Sequence, residues 1–181
     1  MKPYTTINSK EIFKGRAVHL VVDEITLPNG QTTFRETVHN HDAAAILPID
    51  SEGDVILVRQ YRHSVGRAVL EIPAGILDEN EEPEICAARE LEEEIGYKAG
   101  SLTKICAWQG SIGICSGKTY LFLAKNLIEG IQATDYDEFI SVERYSLEEC
   151  EKMVLSGEIV DGKTILAIFA YKAMGGNYAN I

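Results

Sequence analysis

The chain has 181 residues, 45% of them hydrophobic and 25% charged, a composition that fits one globular domain with an appended element and excludes a disordered or fibrous chain. Its formal net charge of −11 means that the surface as a whole repels nucleic-acid phosphates and anionic lipid headgroups. We therefore expect neither a nucleic acid nor a membrane as a partner, whereas a small anionic substrate can bind where divalent cations and local basic residues neutralise it.

The first third of the chain is predicted to consist of strands. Residues 11–40 alternate between apolar and polar side chains on both sides of Pro28-Asn29-Gly30, and Asn-Gly between two alternating segments is a strong hairpin signal. The apolar runs 43–49 and 54–59 flank the polar turn Asp50-Ser51-Glu52-Gly53. This second pattern predicts another hairpin.

Helices are predicted in the middle and at the end of the chain. From Pro83 to Ile95 the apolar residues recur at three- and four-residue spacing, and Gly96 follows, which is the pattern of an amphipathic helix with proline in its first turn. The same kinds of signal predict strands at about 105–108 and 119–124 and capped helices at about 146–156 and 162–174. The irregular mixture favours an α+β fold over a Rossmann-like winding.

The cysteines and the N-terminal sequence bear on the cellular compartment. Four scattered cysteines form neither a C-x-x-C pair nor a zinc-ligand spacing, and we interpret them as reduced thiols of the core. Residues 1–16 lack the apolar stretch of a signal peptide, and no run approaches the roughly 18–20 apolar residues of a transmembrane helix. These patterns predict a cytoplasmic protein.

Three glutamates share one face of the central helix. Glu90, Glu93 and Glu94 lie at positions i, i+3 and i+4, so their carboxylates project about one turn apart and repel one another. Hard oxygen ligands that converge on one point are what Mg²⁺ or Mn²⁺ requires, together with water and substrate phosphates. A merely solvated helix face is the alternative, but such a face normally includes lysines, and the one basic residue in this stretch is Arg89.

The spacing around these glutamates matches a known pattern. The seven fixed positions of G-x5-E-x7-R-E-U-x-E-E-x-G-U, in which U is apolar, are filled by Gly75, Glu81, Arg89, Glu90, Glu93, Glu94 and Gly96. Tyr97 stands where the last apolar residue is usual. With residue frequencies near 7%, seven such matches are expected by chance on the order of 10⁻⁸ of the time. The chain therefore resembles the Nudix hydrolases.

The resemblance implies a fold and a metal site. The fold is an α/β/α Nudix sandwich, classed as α+β, with a mixed sheet between helices and an N-terminal antiparallel β-hairpin or sheet extension. The implied ligands of Mg²⁺ or Mn²⁺ are three carboxylates and one backbone carbonyl, those of Glu90, Glu93, Glu94 and Ala74. Arg89 and Glu81 would orient the carboxylates. Water would attack one phosphorus of a diphosphate, with Glu93 as a further ligand or as the base.

The flanking residues resemble one branch of that family. Arg59-Gln60-Tyr61-Arg62 and Glu71-Ile72-Pro73-Ala74-Gly75 are similar to the signature of the ADP-ribose pyrophosphatases and nucleoside diphosphate sugar hydrolases. The resemblance implies that Arg62, Glu71 and Ser111 contact the substrate, and an arginine is a fitting phosphate clamp. A salt bridge at the end of a strand is the alternative for Arg62.

The same branch suggests a domain organisation and an oligomeric state. Residues 1–42 would form an antiparallel sheet that exchanges across a homodimer and helps to hold the nucleoside, with Arg35 at the substrate. Residues 43–181 would form the catalytic Nudix domain. Both statements follow from the resemblance alone.

One loop departs from the pattern of the branch. The branch usually reads S-P-G-F-[ST]-x-E, whereas this chain reads Ser-Ile-Gly-Ile-Cys-Ser-Gly over residues 111–117. Gly117 replaces the glutamate often assigned as general base, so a glutamate installed there is expected to raise the rate. Without it, the base is either Glu93 assisted by the metals or an acid such as Glu138 in the stretch 135–138. We favour a solvated loop as the interpretation of that stretch.

The predicted function is hydrolysis of a nucleoside diphosphate sugar to a nucleoside monophosphate and a sugar phosphate. ADP-ribose is the first candidate, and GDP-mannose or another nucleoside diphosphate hexose is the alternative. A hypothesis of a different class is a nucleotide-sugar sensor that binds without turnover. The missing loop glutamate supports the sensor, and the intact set of metal ligands opposes it.

Overall fold

A computed structural model describes residues 3–176, which divide into two units. The first unit comprises the residues up to Asp42 together with Trp108–Thr119, and the second comprises Ala43–Ala107 and the residues from Tyr120 onward. No helix within residues 3–176 is long and apolar enough to cross a membrane.

The first unit contains a three-stranded antiparallel sheet. Its strands, in spatial order, are β1 (Thr5–Lys14), β2 (His19–Thr26) and β3 (Thr32–His39). The predicted hairpin is confirmed, because β2 and β3 pair from His19↔His39 to Thr26↔Thr32. Gly30 has φ +86°, the left-handed conformation that the Asn-Gly turn requires. β1 extends further towards the N-terminus than the alternation in the sequence indicated.

The described residues of the second unit form two sheets and three α-helices. The four-stranded sheet has the order β7-β4-β9-β8 and the three-stranded sheet the order β10-β5-β6. The strands are β4 (Ala43–Pro48), β5 (Val55–Arg62), β6 (Arg67–Glu71), β7 (Ala74–Ile76), β8 (Tyr97–Trp108), β9 (Thr119–Glu129) and β10 (Ile140–Tyr145). The helices are α1 (Pro83–Ile95), α2 (Leu147–Ser156) and α3 (Gly162–Ala173).

The prediction of a second hairpin is wrong, although its turn is right. Asp50 N donates to Asp54 O at 3.0 Å, as a tight turn requires, but β4 and β5 belong to different sheets and meet only at the Ile49↔Val55 bridge. Both strands are buried along most of their length. Strands that are apolar on both faces lie between layers, and the turn therefore connects two sheets.

The central helix is confirmed at the predicted residues. α1 ends at Gly96, whose φ of +72° lets its N–H bond to Glu92 O. Its apolar side packs into the core with β4, β5 and β9, through side chains that include Cys86, Leu91, Ile46 and Phe122. The two closing helices are also confirmed, with a Ser146 capping box on α2 and an Asp161 cap on α3.

Candidate active site

The helix α1 brings one glutamate into the interior and leaves the other two near its edge. Glu94 lies three residues after Leu91 and seven after Ala87, so it shares the buried face of the helix and is only 3% exposed. The side chain of Glu90 is mostly buried, whereas that of Glu93 is 41% exposed. The helical register therefore makes the three carboxylates unequal.

The positive charge around the two buried glutamates, Glu90 and Glu94, is not enough to keep their pKa values in the usual range. Burial, followed by the charges of Glu90 and Glu138, raises the pKa of Glu94 to about 8. Burial also raises the pKa of Glu90, against the lowering effect of the neighbouring Arg89 guanidinium. An additional cation at this point would favour the ionised form of both groups.

Arg89 connects the glutamates to the loop before the helix. Its guanidinium donates to both carboxylate oxygens of Glu81 at 3.0 Å, to Glu90 at 2.6 Å and to Glu93 at 2.9 Å. The hydrogen bond from Arg89 lowers the pKa of Glu81 to about 2, so this carboxylate stays ionised. Arg89 therefore links Glu81 in the loop to Glu90 and Glu93 on the helix.

The loop that precedes α1 packs directly on the same carboxylates. Ala74 N lies 3.3 Å from Glu94 Oε2. A Cβ atom added to Gly75 would stand 1.8 Å from Glu90 Oε1, so any other residue would require the Glu90 carboxylate to move from this position. The fixed glycine of the motif thus has a local steric explanation.

The chemistry of this cluster fits a divalent cation. Its donors are carboxylate oxygens with incomplete charge compensation, beside the backbone of Ala74. Within residues 3–176, no group of three acidic, histidine or cysteine side chains surrounds a point that could hold a metal ion. The guanidinium of Arg89 donates to both Glu90 and Glu93, so these two carboxylates share one cationic partner.

Glu138 differs from the acidic residues around it. Asp135, Tyr136 and Asp137 are exposed, as a solvated loop requires. Glu138 is half-buried, and its charge acts on Glu90 and Glu94, so the interpretation as a solvated loop does not hold for this residue. Glu138 was named from the sequence as one candidate base, but no local pattern separated it from Asp135 and Asp137.

A pair of cations lies beside the glutamate cluster. Arg62 Nε and Nη2 donate to the two carboxylate oxygens of buried Glu71 at 2.7 and 2.9 Å, and Lys163 at the start of α3 contacts the same carboxylate. Burial opposes ionisation of Glu71, but these partners lower its pKa below the usual range. Electrostatic interactions also connect Glu94 with both Arg62 and Lys163.

The salt bridge that the sequence left as the alternative for Arg62 is therefore present. The Arg62 side chain is still 40% exposed, so the guanidinium can face an anion as well as Glu71. Lys163 was not among the predicted site residues. The signal that could have found it is its position in the first turn of the last helix, two residues after the Asp161 cap and close to the end of β6.

Two predicted substrate contacts and the altered loop belong to the first unit. Arg35 is exposed on β3, and Ser111 opens a hydrogen-bonded turn. A Cβ atom on Gly117 would approach His41 O to 2.8 Å and Asn40 O to 3.0 Å. A glutamate at position 117 would therefore require a shift of the backbone, so the structure argues against a rate gain from this substitution.

The chain is similar to several known proteins. The NUDIX domain model matches residues 39–165. An ADP-ribose pyrophosphatase of Bacillus subtilis (strain 168) is 44% identical over 90% of this chain and 89% of its own length. A methanol dehydrogenase activator of Bacillus methanolicus is 38% identical over 90% of this chain and 89% of its own. The crystal structure of an ADP compounds hydrolase has a TM-score of 0.88 at 22% identity, over 98% of each chain, which confirms the predicted α+β sandwich fold.

Proposed function

The chain belongs to the NUDIX family, and we propose that it is a pyrophosphohydrolase that splits the diphosphate of a nucleoside diphosphate sugar, with ADP-ribose as its first substrate. The products are then AMP and ribose 5-phosphate. The observation that carries the proposal is the position of the undercompensated carboxylates of Glu90 and Glu94 beside the cations Arg62 and Lys163. This arrangement suits a substrate that brings both phosphates and metal ions.

We assign the metal to the ligands that the motif implies. Glu90, Glu93, Glu94 and the carbonyl of Ala74 would hold Mg²⁺ or Mn²⁺, and Arg89 would keep the carboxylates in place. When bound, the ion supplies positive charge that neutralises the diphosphate and makes an attacking water more acidic. The pure oxygen donor set favours these two ions over zinc.

The affinity for Mn²⁺ should depend on pH because Glu94 must lose its proton to bind metal. With a pKa of about 8, Glu94 is protonated below pH 8, so each bound ion displaces a proton there. We expect the affinity to rise about tenfold per pH unit between pH 6 and 8 and to level off above. Titration calorimetry in buffers of different ionisation enthalpy measures both the affinity and the proton release. A constant affinity across this range would contradict the assignment of Glu94.

The remaining steps are assigned to protein side chains. Arg62 and Lys163, both held by Glu71, bind phosphate oxygens and orient the diphosphate. Glu138 accepts the proton of the attacking water, because it is the acidic residue from a different segment of the chain whose charge acts on Glu90 and Glu94. This assignment replaces the base that Gly117 cannot supply.

The substrate is tested by a panel of nucleotides. ADP-ribose, GDP-mannose, UDP-glucose and NADH are incubated with Mg²⁺ or Mn²⁺, and the products are resolved by chromatography. We expect kcat/KM to be highest for ADP-ribose, and reaction in ¹⁸O-labelled water then identifies the attacked phosphorus. Preference for GDP-mannose would leave the reaction class intact and correct the sugar.

The competing hypothesis is a sensor that binds a nucleotide sugar without turnover. Calorimetry with ADP-ribose in the presence of Ca²⁺ measures binding where turnover is suppressed. Tight binding together with no product in Mg²⁺ or Mn²⁺ over hours would favour the sensor. Release of AMP at rates that saturate with substrate would exclude it.

We further propose that the enzyme works in the cytoplasm as a homodimer. The four cysteines are free, as a reducing compartment allows. In the first unit, β1 is exposed along its whole length and carries the apolar side chains Ile7, Ile12 and Phe13. Such a strand needs a second surface to cover its apolar side chains, and a second copy of the chain supplies one by symmetry.

The oligomeric state should depend on these β1 side chains. Phe13→Glu places a charge in the apolar surface and should convert the dimer into a monomer at micromolar concentration. Leu155→Glu is the matched control, because Leu155 is exposed and lies on α2, in the second unit. Light scattering measures both variants. A parent chain that is monomeric and fully active would refute the dimer and a shared site.

A further inference from the structure

The segment 130–133 covers the C-terminal end of α1. Gly130 N donates to Gly96 O at 2.8 Å, and Ala133 N donates to Glu93 O at 3.0 Å. Between them, the side-chain Nε2 of Gln132 donates to Glu94 O at 2.7 Å. Carbonyls in the last turn of a helix have no partner within the helix, so this segment satisfies them from outside.

Two of these carbonyls belong to the glutamates of the active site. The backbone of Glu93 and Glu94 is thereby attached to a segment that is distant in sequence, since Gln132 lies 38 residues after Glu94. The approach is close, because a Cβ atom on Gly96 would stand 3.1 Å from Gln132 N. The glycine that ends the helix thus also makes room for this segment.

The same segment leads directly to Glu138. After Ala133, a turn closes with a 3.0 Å hydrogen bond from Glu138 N to Asp135 O. Ile140 then enters β10 and pairs with Gln60 of β5. The segment that carries Glu138 is therefore fixed at one end on α1 and at the other end on the three-stranded sheet.

We propose that Gln132 is a positioning residue, which fixes the segment that carries Glu138 to the helix that carries Glu90 and Glu94. This inference rests on the proposed role of Glu138 as base. Gln132 does not touch the reacting atoms. It acts by fixing the position of the base relative to the metal-binding carboxylates. A displacement of the base by about 1 Å can cost about 10²-fold in rate.

Three substitutions of Gln132 separate the hydrogen bond from the size of the side chain. Gln132→Ala removes the donor and should lower kcat about tenfold, with KM within twofold, because Arg62 and Lys163 still bind the diphosphate. Gln132→Glu has nearly the same shape but offers only acceptors to the Glu94 carbonyl, and should be at least as impaired. Gln132→Lys restores a donor at the negative end of the helix and should recover most of the rate.

A matched control removes the same kind of contact elsewhere. Ser156 Oγ donates to Met153 O at 3.1 Å at the end of α2, so Ser156→Ala also deletes a side-chain donor from a helix C-terminus. We expect Ser156→Ala to leave kcat unchanged, with a thermal stability close to that of Gln132→Ala. A loss of rate confined to Gln132→Ala is then not an effect of helix capping on stability.

A double-mutant cycle with Glu138→Gln decides the mechanism. If Gln132 acts through Glu138, Gln132→Ala should change kcat less than twofold when Glu138 is already glutamine. An equal loss in both backgrounds would overturn the inference, because Gln132 would then act through α1 itself. Normal kcat in Gln132→Ala, with Glu138→Gln impaired, would overturn only this inference. Normal kcat in Glu138→Gln would overturn the proposed base, and this inference with it.

Discussion

Glu94→Gln should abolish nearly all turnover while the fold remains intact. The substitution deletes the charge of a proposed metal ligand that is 3% exposed but changes its volume little. Glu90→Gln should reduce turnover to a similar degree, because the carboxylate of Glu90 lies beside that of Glu94. We expect losses of at least 10³-fold in kcat/KM for each variant, which corresponds to about 4 kcal/mol in the barrier.

The control for this experiment lies on the same helix. Glu84 is an exposed glutamate in the first turn of α1, so Glu84→Gln should retain the activity of the parent. Circular dichroism and the midpoint of thermal unfolding check that each variant is folded. If Glu94→Gln and Glu90→Gln both stayed within about tenfold of the parent, a change of ~1.4 kcal/mol, the metal assignment would be wrong.

Glu138→Gln should give the second largest loss. A general base contributes about 10²–10⁴-fold to a rate, so kcat should fall by that factor while the affinity for Mn²⁺ stays within a few-fold. The defect should become smaller at alkaline pH, where hydroxide substitutes for the base. Asp137→Asn, at an exposed neighbouring residue, is the matched control.

The result also discriminates between the two candidates for the base. A mild effect of Glu138→Gln together with a severe effect of Glu93→Gln would identify Glu93 as the base. Glu93 is 41% exposed, and one of its carboxylate oxygens already accepts a hydrogen bond from Arg89. Gly117→Glu should not increase the rate, because its Cβ atom would collide with the backbone of Asn40 and His41.

The part of the site that lies within one short stretch of sequence could be predicted. Glu90, Glu93 and Glu94 share a helix face because of their spacing, and Gly75 lies close to Glu90 in sequence. The inequality of the three glutamates was not predicted, because Glu90 follows Ala87 by three residues just as Glu94 follows Leu91 by three. Local periodicity places the glutamates on one side of the helix without ranking their burial.

The contacts that depend on the tertiary fold could not be predicted. Lys163 reaches Glu71 across 92 positions of sequence, and Gln132 reaches Glu94 across 38. Gln132 has no local pattern that differs from that of a surface residue, and the one local signal for Lys163 is its place in the first turn after the Asp161 cap. The prediction that β4 and β5 form a hairpin failed for a related reason, because strands buried on both faces lack the alternation that indicates a partner.

The buried carboxylate of Glu94 has a consequence for the lifetime of the protein before it acquires its metal. A glutamate whose pKa is raised on folding destabilises the native state as pH rises from the unfolded value, near 4.5, towards 8. As far as this group decides the stability, the metal-free chain therefore unfolds more often at neutral pH than at pH 4.5, and an unfolded chain is a substrate for proteases. Binding of Mg²⁺ or Mn²⁺ to the folded chain opposes this loss of stability by mass action. The Glu94 side chain therefore serves catalysis when metal is bound but shortens the lifetime of newly made, metal-free protein.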